Sequence, residues 1–260
     1  MTVLAGEPSP ALAIAEYRAD LHVHTVLSPC ASRDMLPPQI VAHTLALGLR
    51  IIAVTDHNAS ANARAVQEAA AGTPLTILPG MELQTAEEVH LLCLFATVEQ
   101  LSAWQAEVDA RMPRQENQPD AFGPQVVVDA AGAVVRSERR LLATSVALGL
   151  EEAAWMVRER GGLAIPAHVD RPVNSLSAML GFPPPGLVVD ALEISAHTTP
   201  EAARRRLPWL TGYPLVQGGD VHHLEGFRAS TVFRLAAPTL AEIRLALKGA
   251  WGRSCSIIPR

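Results

Sequence analysis

Long apolar runs are missing from this chain of 260 residues, and no segment is long and apolar enough to span a bilayer as a helix. Met1 to Glu16 lack both a basic start and a continuous apolar stretch, so they do not read as a secretory signal. Cysteine is scarce: Cys30, Cys93 and Cys255 are odd in number and far apart. That speaks against a disulfide framework and fits a reducing cytoplasm. Aromatic residues make up only 4% of the chain, and positive charge is not in excess. A net charge of −5 gives no overall field toward nucleic acid or an anionic membrane. Bound metal cations would reverse that locally, so charge alone does not exclude a nucleic-acid substrate. There is no G-x-S-x-G, no G-x-x-x-x-G-K-[ST], no internal repeat and no low-complexity segment.

Apolar residues are abundant. They form 49% of the chain against 18% charged, enough for the core of one large α/β domain or two small ones, and too apolar for disorder. One stretch organises the rest: Asp20-Leu21-His22-Val23-His24-Thr25. Read as a strand, it turns His22 and His24 to one face, because side chains alternate with a period of two. Two imidazoles on one face could grip a metal ion, or could be two ordinary histidines. Their company favours the metal. Asp56-His57 follows the run Ile51 to Thr55, and Glu82 follows Leu75 to Leu78 and Pro79-Gly80. His168 follows Leu163 to Ala167, and Asp220 and His222 follow Pro214 to Gly219. His90 opens a run instead of closing one.

Taken in order, residues 1–16 read as an N-terminal arm and 17–260 as the main domain. The first strand is expected over Tyr17–Thr25, and a helix from Pro37-Pro38 to about Gly48 follows the rule of proline at the start and glycine at the end. His43 lies inside that helix and reads as a surface or packing histidine. Strands are predicted at 50–55, 76–78 and 89–95, with helices over 61–71 and 98–111 between or after them. Strand–helix alternation argues for a parallel sheet with helical crossovers. The rhythm breaks at Met112. Residues 112–145 read as an insertion holding a hairpin, Gln125–Asp129 and Ala133–Arg136 around Ala130-Ala131-Gly132, set over one mouth of the barrel as a lid or an association surface. A helix over 150–160, strands at 163–167, 190–195, 214–218 and 231–235, and a last helix after Thr239 complete the pattern. Arg204-Arg205-Arg206 reads as a solvated helix face. About seven strands suit a distorted seven-stranded β/α, TIM-like barrel, a fold whose functional residues gather at the carboxyl ends of the strands.

Imidazole and carboxylate together suit Zn²⁺, Mn²⁺ or Fe²⁺ better than Mg²⁺ or Ca²⁺. The candidates exceed the needs of one tetrahedral site, so two or three ions sharing a carboxylate is the economical arrangement, with Glu82 as the bridge. Such a cluster fits phosphate-ester hydrolysis with metal-activated hydroxide as nucleophile.

The set Asp20-Leu21-His22-Val23-His24-Thr25, Thr55-Asp56-His57-Asn58, Pro79-Gly80-Met81-Glu82, Ala167-His168 and Gly219-Asp220-Val221-His222 resembles the PHP (polymerase and histidinol phosphatase) family, over residues 20–222. The resemblance implies a distorted barrel, a two- or three-metal site and phosphoesterase chemistry. It implies His22, His24, His57, Glu82, His90, His168, Asp220 and His222 as metal ligands, with Asp56 orienting one of the imidazoles. Some three-metal members carry a further ligand after H-x-H; here that region offers Cys30 and Asp34. Cys30 reads equally as a zinc thiolate or a buried structural cysteine. Arg171 could fork onto phosphate oxygens or pair with Asp170 or another acid. His197 could protonate a leaving group. Other short stretches resemble a bacterial subgroup of the family with no assigned substrate. The first expectation is therefore a cytoplasmic phosphoesterase for a small phosphorylated metabolite or nucleotide, with no membrane partner. The alternatives are a nuclease on short oligonucleotides, with Arg136, Arg139, Arg140 and Arg204 to Arg206 along a groove, and a metal-binding scaffold without catalysis.

Overall fold

The computed structural model describes residues 13–258. The first strand, β1 (Ala15–Val23), takes in the last two residues of the stretch expected as an arm; residues 1–12 lie outside the described part. Helix α1 (Pro37–Ala46) starts on paired prolines, β2 (Ile51–Val54) is wholly buried, and α2 (Ala63–Ala69) is a short amphipathic cover. Strand β3 (Thr76–Gln84) turns back directly into β4 (His90–Leu94). Helix α3 (Val98–Asp109) opens with a reciprocal capping box between Thr97 and Gln100, which satisfies two otherwise unpaired backbone donors. The insertion holds α4 (Pro119–Phe122) and the hairpin β5 (Val126–Val128) and β6 (Val134–Ser137). Then come α5 (Leu150–Glu159), β7 (Leu163–Pro166), α6 (Leu176–Met179), β8 (Leu192–Ile194) and α7 (Pro200–Arg206). The chain closes with β9 (Leu215–Gln217), β10 (Thr231–Leu235), α8 (Leu240–Leu247) and β11 (Ser254–Ile257).

Seven strands form one curled sheet in the order β11-β10-β1-β2-β3-β4-β7, a half-barrel; β8 and β9 pair separately in parallel. The bridge Val23↔Val221 joins the chain beyond β9 to the end of β1 and draws the two sheets together. Side chains alternate between two apolar layers. Ile52 and Val54 pack with Ile40 of α1 and Val66 of α2, while Ile51 and Ala53 pack with Leu78, Phe233 and Ile243 of α8. Burial on both faces is why β2 reads as an unbroken apolar run. Each such fully buried aliphatic side chain contributes roughly 1.5–3 kcal/mol.

The sheet is mixed, not parallel throughout. β1, β2 and β3 run parallel, but β4 is antiparallel to both β3 and β7, and β10 and β11 are antiparallel additions at the other edge. The five residues between β3 and β4 leave no room for a crossover helix, and a short link forces the antiparallel return. β3 also runs on past Leu78 and carries Glu82 within it, and β11 is a strand the sequence pattern did not single out.

The insertion is tied down at its root. Val126 donates to the Val26 carbonyl, and Gly123, at φ +96°, sits so close to the first loop that a Cβ there would lie 2.2 Å from the Pro29 carbonyl oxygen. No side chain is compatible with that position.

Candidate metal centre

Every strand end near β1 sends a ligand-type side chain to one place. His22 lies in β1 and His24 just beyond it; His57 follows β2; Glu82 lies near the end of β3. His90 opens β4, and the antiparallel return places the start of β4 at the same end as the close of β3. His168 follows β7, and Asp220 and His222 follow β9. The Glu82 carboxylate is the hub. Its Oε1 lies 3.1 Å from His22 Nε2, 2.8 Å from His90 Nδ1 and 3.2 Å from His168 Nε2. Its Oε2 lies 2.9 Å from His57 Nδ1 and 3.3 Å from His24 Nε2. Asp220 Oδ1 is 3.2 Å from both His22 Nε2 and His24 Nε2. The His222 ring stacks on that of His24 with centroids 4.0 Å apart.

Three hydrogen bonds set which ring nitrogen each imidazole presents. His24 Nδ1 is 2.8 Å from Ser28 Oγ, and that hydroxyl donates to Asp56 Oδ1 at 2.8 Å. With its single proton committed, Ser28 can only accept from His24, so His24 Nε2 is the nitrogen that faces the carboxylates. Asp56 therefore acts on the His24 imidazole through Ser28. It also accepts from the Thr25 amide and hydroxyl. His22 Nδ1 lies 2.9 Å from Glu193 Oε2, an acceptor, which turns His22 Nε2 toward Glu82 and Asp220. His222 Nδ1 donates to the Asp220 carbonyl oxygen at 2.9 Å.

Charge is held here against strong desolvation. Burial pulls the imidazoles down, yet the surrounding carboxylates outweigh it: His22 is raised well above its ordinary range, and His24 and His57 rise to about 9. Burial likewise opposes ionisation of Glu82 and Asp220, and the histidines overcome it, holding both well below the carboxylate range. His222, buried and beside His24, drops to about 3 and is a neutral ligand-ready ring. Burial lowers His90 in the same sense.

The donor set fits divalent transition metals. His22 Nε2, His24 Nε2, His57 Nδ1, Glu82 Oε2, His168 Nδ1 and Asp220 Oδ1 are buried with no hydrogen-bond partner, an expensive state unless something else fills it. Ligands at about 2.1 Å in a tetrahedron stand roughly 3.4 Å apart. The carboxylate-to-imidazole spacings of 2.8–3.3 Å are of that order. Among the described residues three overlapping groups could each hold an ion: His24, His57 and His222; His22, His24, Glu82 and Asp220; and His57, Glu82 and His90. His168 and Asp220 adopt positive φ, +30° and +47°, as does Asn58 beside His57 at +48°. Such backbone costs about 1–3 kcal/mol per residue and persists only where the surroundings enforce it.

The other candidates are placed differently. Arg171 pairs with Asp220 through Nη1 and not with Asp170, whose carboxylate is taken by Ser195. His197 is exposed on the loop after β8 and lines a separate cavity with Gln217 and Ser230. Cys30 is exposed, not buried, and its thiol reaches His57. Asp34 accepts from Ser32 outside the cluster. His43 packs on Phe227, and Arg206 is drawn to the Asp170 carbonyl oxygen and carboxylate instead of standing free. Two residues escaped the sequence reading. Asp20 ties the β1 and β9 loops together by accepting from the amides of His22, Gly219 and Arg228, and burial lifts its carboxyl to about 7. Glu193 is the other; a charged residue inside the buried run Ala191-Leu192-Glu193-Ile194 was the available signal.

Fold and cluster together define a β/α half-barrel built around a multi-donor metal centre at the carboxyl ends of its strands. Residues 20–121 match the family model of the PHP domain. No curated protein matches the chain. Among solved structures, the lesion-specific endonuclease Q of Pyrococcus furiosus aligns with a TM-score of 0.68 at 21% identity, over 93% of this chain and 58% of its own. An endonuclease Q in complex with a 27-mer duplex bearing an abasic lesion aligns at 0.63 and 20% identity, with the same coverage. A candidate metal-dependent phosphoesterase of Bifidobacterium adolescentis aligns at 0.55 and 22% identity, over 84% of this chain and 90% of its own. The chain thus spans 58% of the length of each endonuclease Q chain. At these identities the likeness establishes the fold.

Proposed function

We propose that this protein is a metal-dependent phosphoesterase whose substrate is a small phosphorylated metabolite or nucleotide. The observation that carries the reading is the Glu82 carboxylate at 2.8–3.3 Å from five imidazoles, with Asp220 closing the group. His22, His24, His57, Glu82, His90, His168, Asp220 and His222 would hold two or three divalent ions, Zn²⁺, Mn²⁺ or Fe²⁺. When bound, such ions supply the Lewis acidity that lowers the pKa of water and offsets charge on a phosphoryl group. The chain's own residues do the rest. Ser28 and Glu193 keep the His24 and His22 lone pairs turned inward. Arg171 spends Nη1 on Asp220 Oδ2 and keeps further guanidinium donors for phosphate oxygens. His197, which lines a separate cavity, takes no part in this chemistry. The test is metal content of the purified protein together with a panel of phosphomonoesters and phosphodiesters under added Mn²⁺, Zn²⁺ or Fe²⁺. At least two metals per chain and turnover of an ester are expected; metal without turnover of any ester would overturn the reading in favour of a scaffold.

A second reading, cleavage of a phosphodiester in DNA, is favoured by the likeness to endonuclease Q. Against it stand three of the arginines a groove would use. Arg136 and Arg140 pair with Glu138, Arg140 also with Asp109, and Arg139 with Glu116.

A further inference from the structure

Glu193 sits outside the groups able to hold an ion, yet it contacts His22, a member of one of them, and His168, whose ring reaches Glu82. Its Oε2 lies 2.9 Å from His22 Nδ1 and accepts from the backbone amide of His168 at 3.0 Å. The backbone reinforces the link, since Val169 donates to the Glu193 carbonyl oxygen at 2.8 Å. One carboxylate on β8 therefore joins a ligand from β1 to a ligand from β7, two strands at different places in the main sheet. The surroundings are shaped to admit it. A Cβ on Gly218 would lie 2.2 Å from Glu193 Oε1 and 2.8 Å from His22 Cβ, so glycine at 218 is what lets the carboxylate reach the ring. Glu193 is 1% exposed, with Oε1 unpartnered. A buried carboxylate is costly, and in a purely structural role an apolar residue would fill this strand position more cheaply.

We infer that Glu193 is a positioning residue for the metal centre: it fixes His22 with Nδ1 protonated and Nε2 presented inward, and it holds the left-handed backbone at His168 that brings that imidazole to Glu82. Both effects come through the same oxygen. A carboxylate behind a ligand imidazole fixes its tautomer, aims the ring and raises its basicity, and loss of such a partner lowers metal affinity by about 10–100-fold. This rests on the metal-centre reading above, but its readout is metal affinity and ring protonation, not turnover.

The experiment compares wild type with Glu193→Gln, which keeps an acceptor but loses the charge, and Glu193→Ala. Asp190→Asn serves as a control, since Asp190 is a buried carboxylate flanking the same strand that bonds Ala164 and pairs with Arg158. Affinity for Mn²⁺ and Zn²⁺ is measured by chelator competition, and imidazole protonation in the metal-free proteins by ¹⁵N-resolved NMR. The expected result is about 10-fold weaker binding in Glu193→Gln and about 100-fold in Glu193→Ala, with the His22 Nδ1–H signal shifted in the first and lost in the second. Asp190→Asn should lower thermal stability yet leave the affinity of the folded protein unchanged. Affinities for both Glu193 variants within twofold of wild type would overturn the inference, as would a wild-type His22 protonated on Nε2 alone. Tight metal binding by wild type with no ester hydrolysed would strike the phosphoesterase reading and leave this one standing.

Discussion

At the residue scale the site is a contest between burial and charge. Glu82 and Asp220 stay ionised in the interior only because imidazoles surround them, and His22, His24 and His57 are held protonated in return. That mutual dependence gives a pH signature to the metal-free protein. His24 and His57 carry pKa values of about 9 in the fold against the ordinary 6.5, so their contribution to stability is complete below pH 6.5 and is lost as pH rises through about 9. The thermal midpoint of metal-stripped protein should therefore fall between those values, and calorimetry across that range checks it. Ions compete for the same nitrogens, so metal binding at pH 7.5 should release protons, seen as a dependence of binding heat on the buffer's ionisation enthalpy. Asp220→Ala should cut hydrolysis by well over roughly 100-fold, beyond the cost of losing an outer partner, while far-UV circular dichroism stays unchanged; undiminished turnover would remove Asp220 from the site. Because His197 lines a separate cavity, His197→Ala should leave the hydrolysis of alkyl and nitrophenyl phosphate esters alike unchanged. Selective slowing of the alkyl esters, which need a proton on the leaving oxygen, would instead place His197 at the reaction.

At the element scale, short links decide who meets whom. The turn between β3 and β4 is what carries His90 back to Glu82, and it accounts for the one ligand that opens a strand. Two asparagines couple the insertion to the strand ends. Asn58 donates to the carbonyls of Leu142 and Thr144 and accepts from Gln84. Asn62 donates to Thr25 Oγ1 and the Val126 carbonyl and accepts from Val128. Replacing Asn62 with Ala leaves a buried amide without its acceptor and should cost about 1–3 kcal/mol in urea unfolding, with amide protection lost first in β5. If protection there survives, the hairpin is held by other contacts. The hairpin itself follows the pattern in the sequence, with Asp129 accepting from Ala131 and Ala133 across the turn and Gly132 at φ +85°.

At the scale of the whole molecule, substrate choice is a question of surface. The net charge is −5, and Arg136, Arg139 and Arg140 of the insertion are matched by carboxylates. A small phosphate ester suits such a surface better than a long polyanion. A mononucleotide should therefore be hydrolysed at least as fast as a short oligonucleotide of the same base, with little change between low and moderate salt. Preference for the oligomer, falling steeply with salt, would instead reveal a row of phosphate contacts and favour the nuclease reading. The side chains that gather around Glu82 were legible as candidates because each closes or opens an apolar run, and the period of two puts His22 and His24 on one face. The half-barrel, the helices and the hairpin were legible for the same reason, since apolar periodicity and proline and glycine signals act over a few residues. Strand direction was not, because the antiparallel course of β4, β10 and β11 depends on which strand each meets across the sheet. Nor was the part of Glu193, Ser28 or Asp20, or the diversion of Arg171 onto Asp220: those contacts join residues as much as 208 positions apart, as Asp20 and Arg228 are, and only the closed fold brings them within reach of a hydrogen bond.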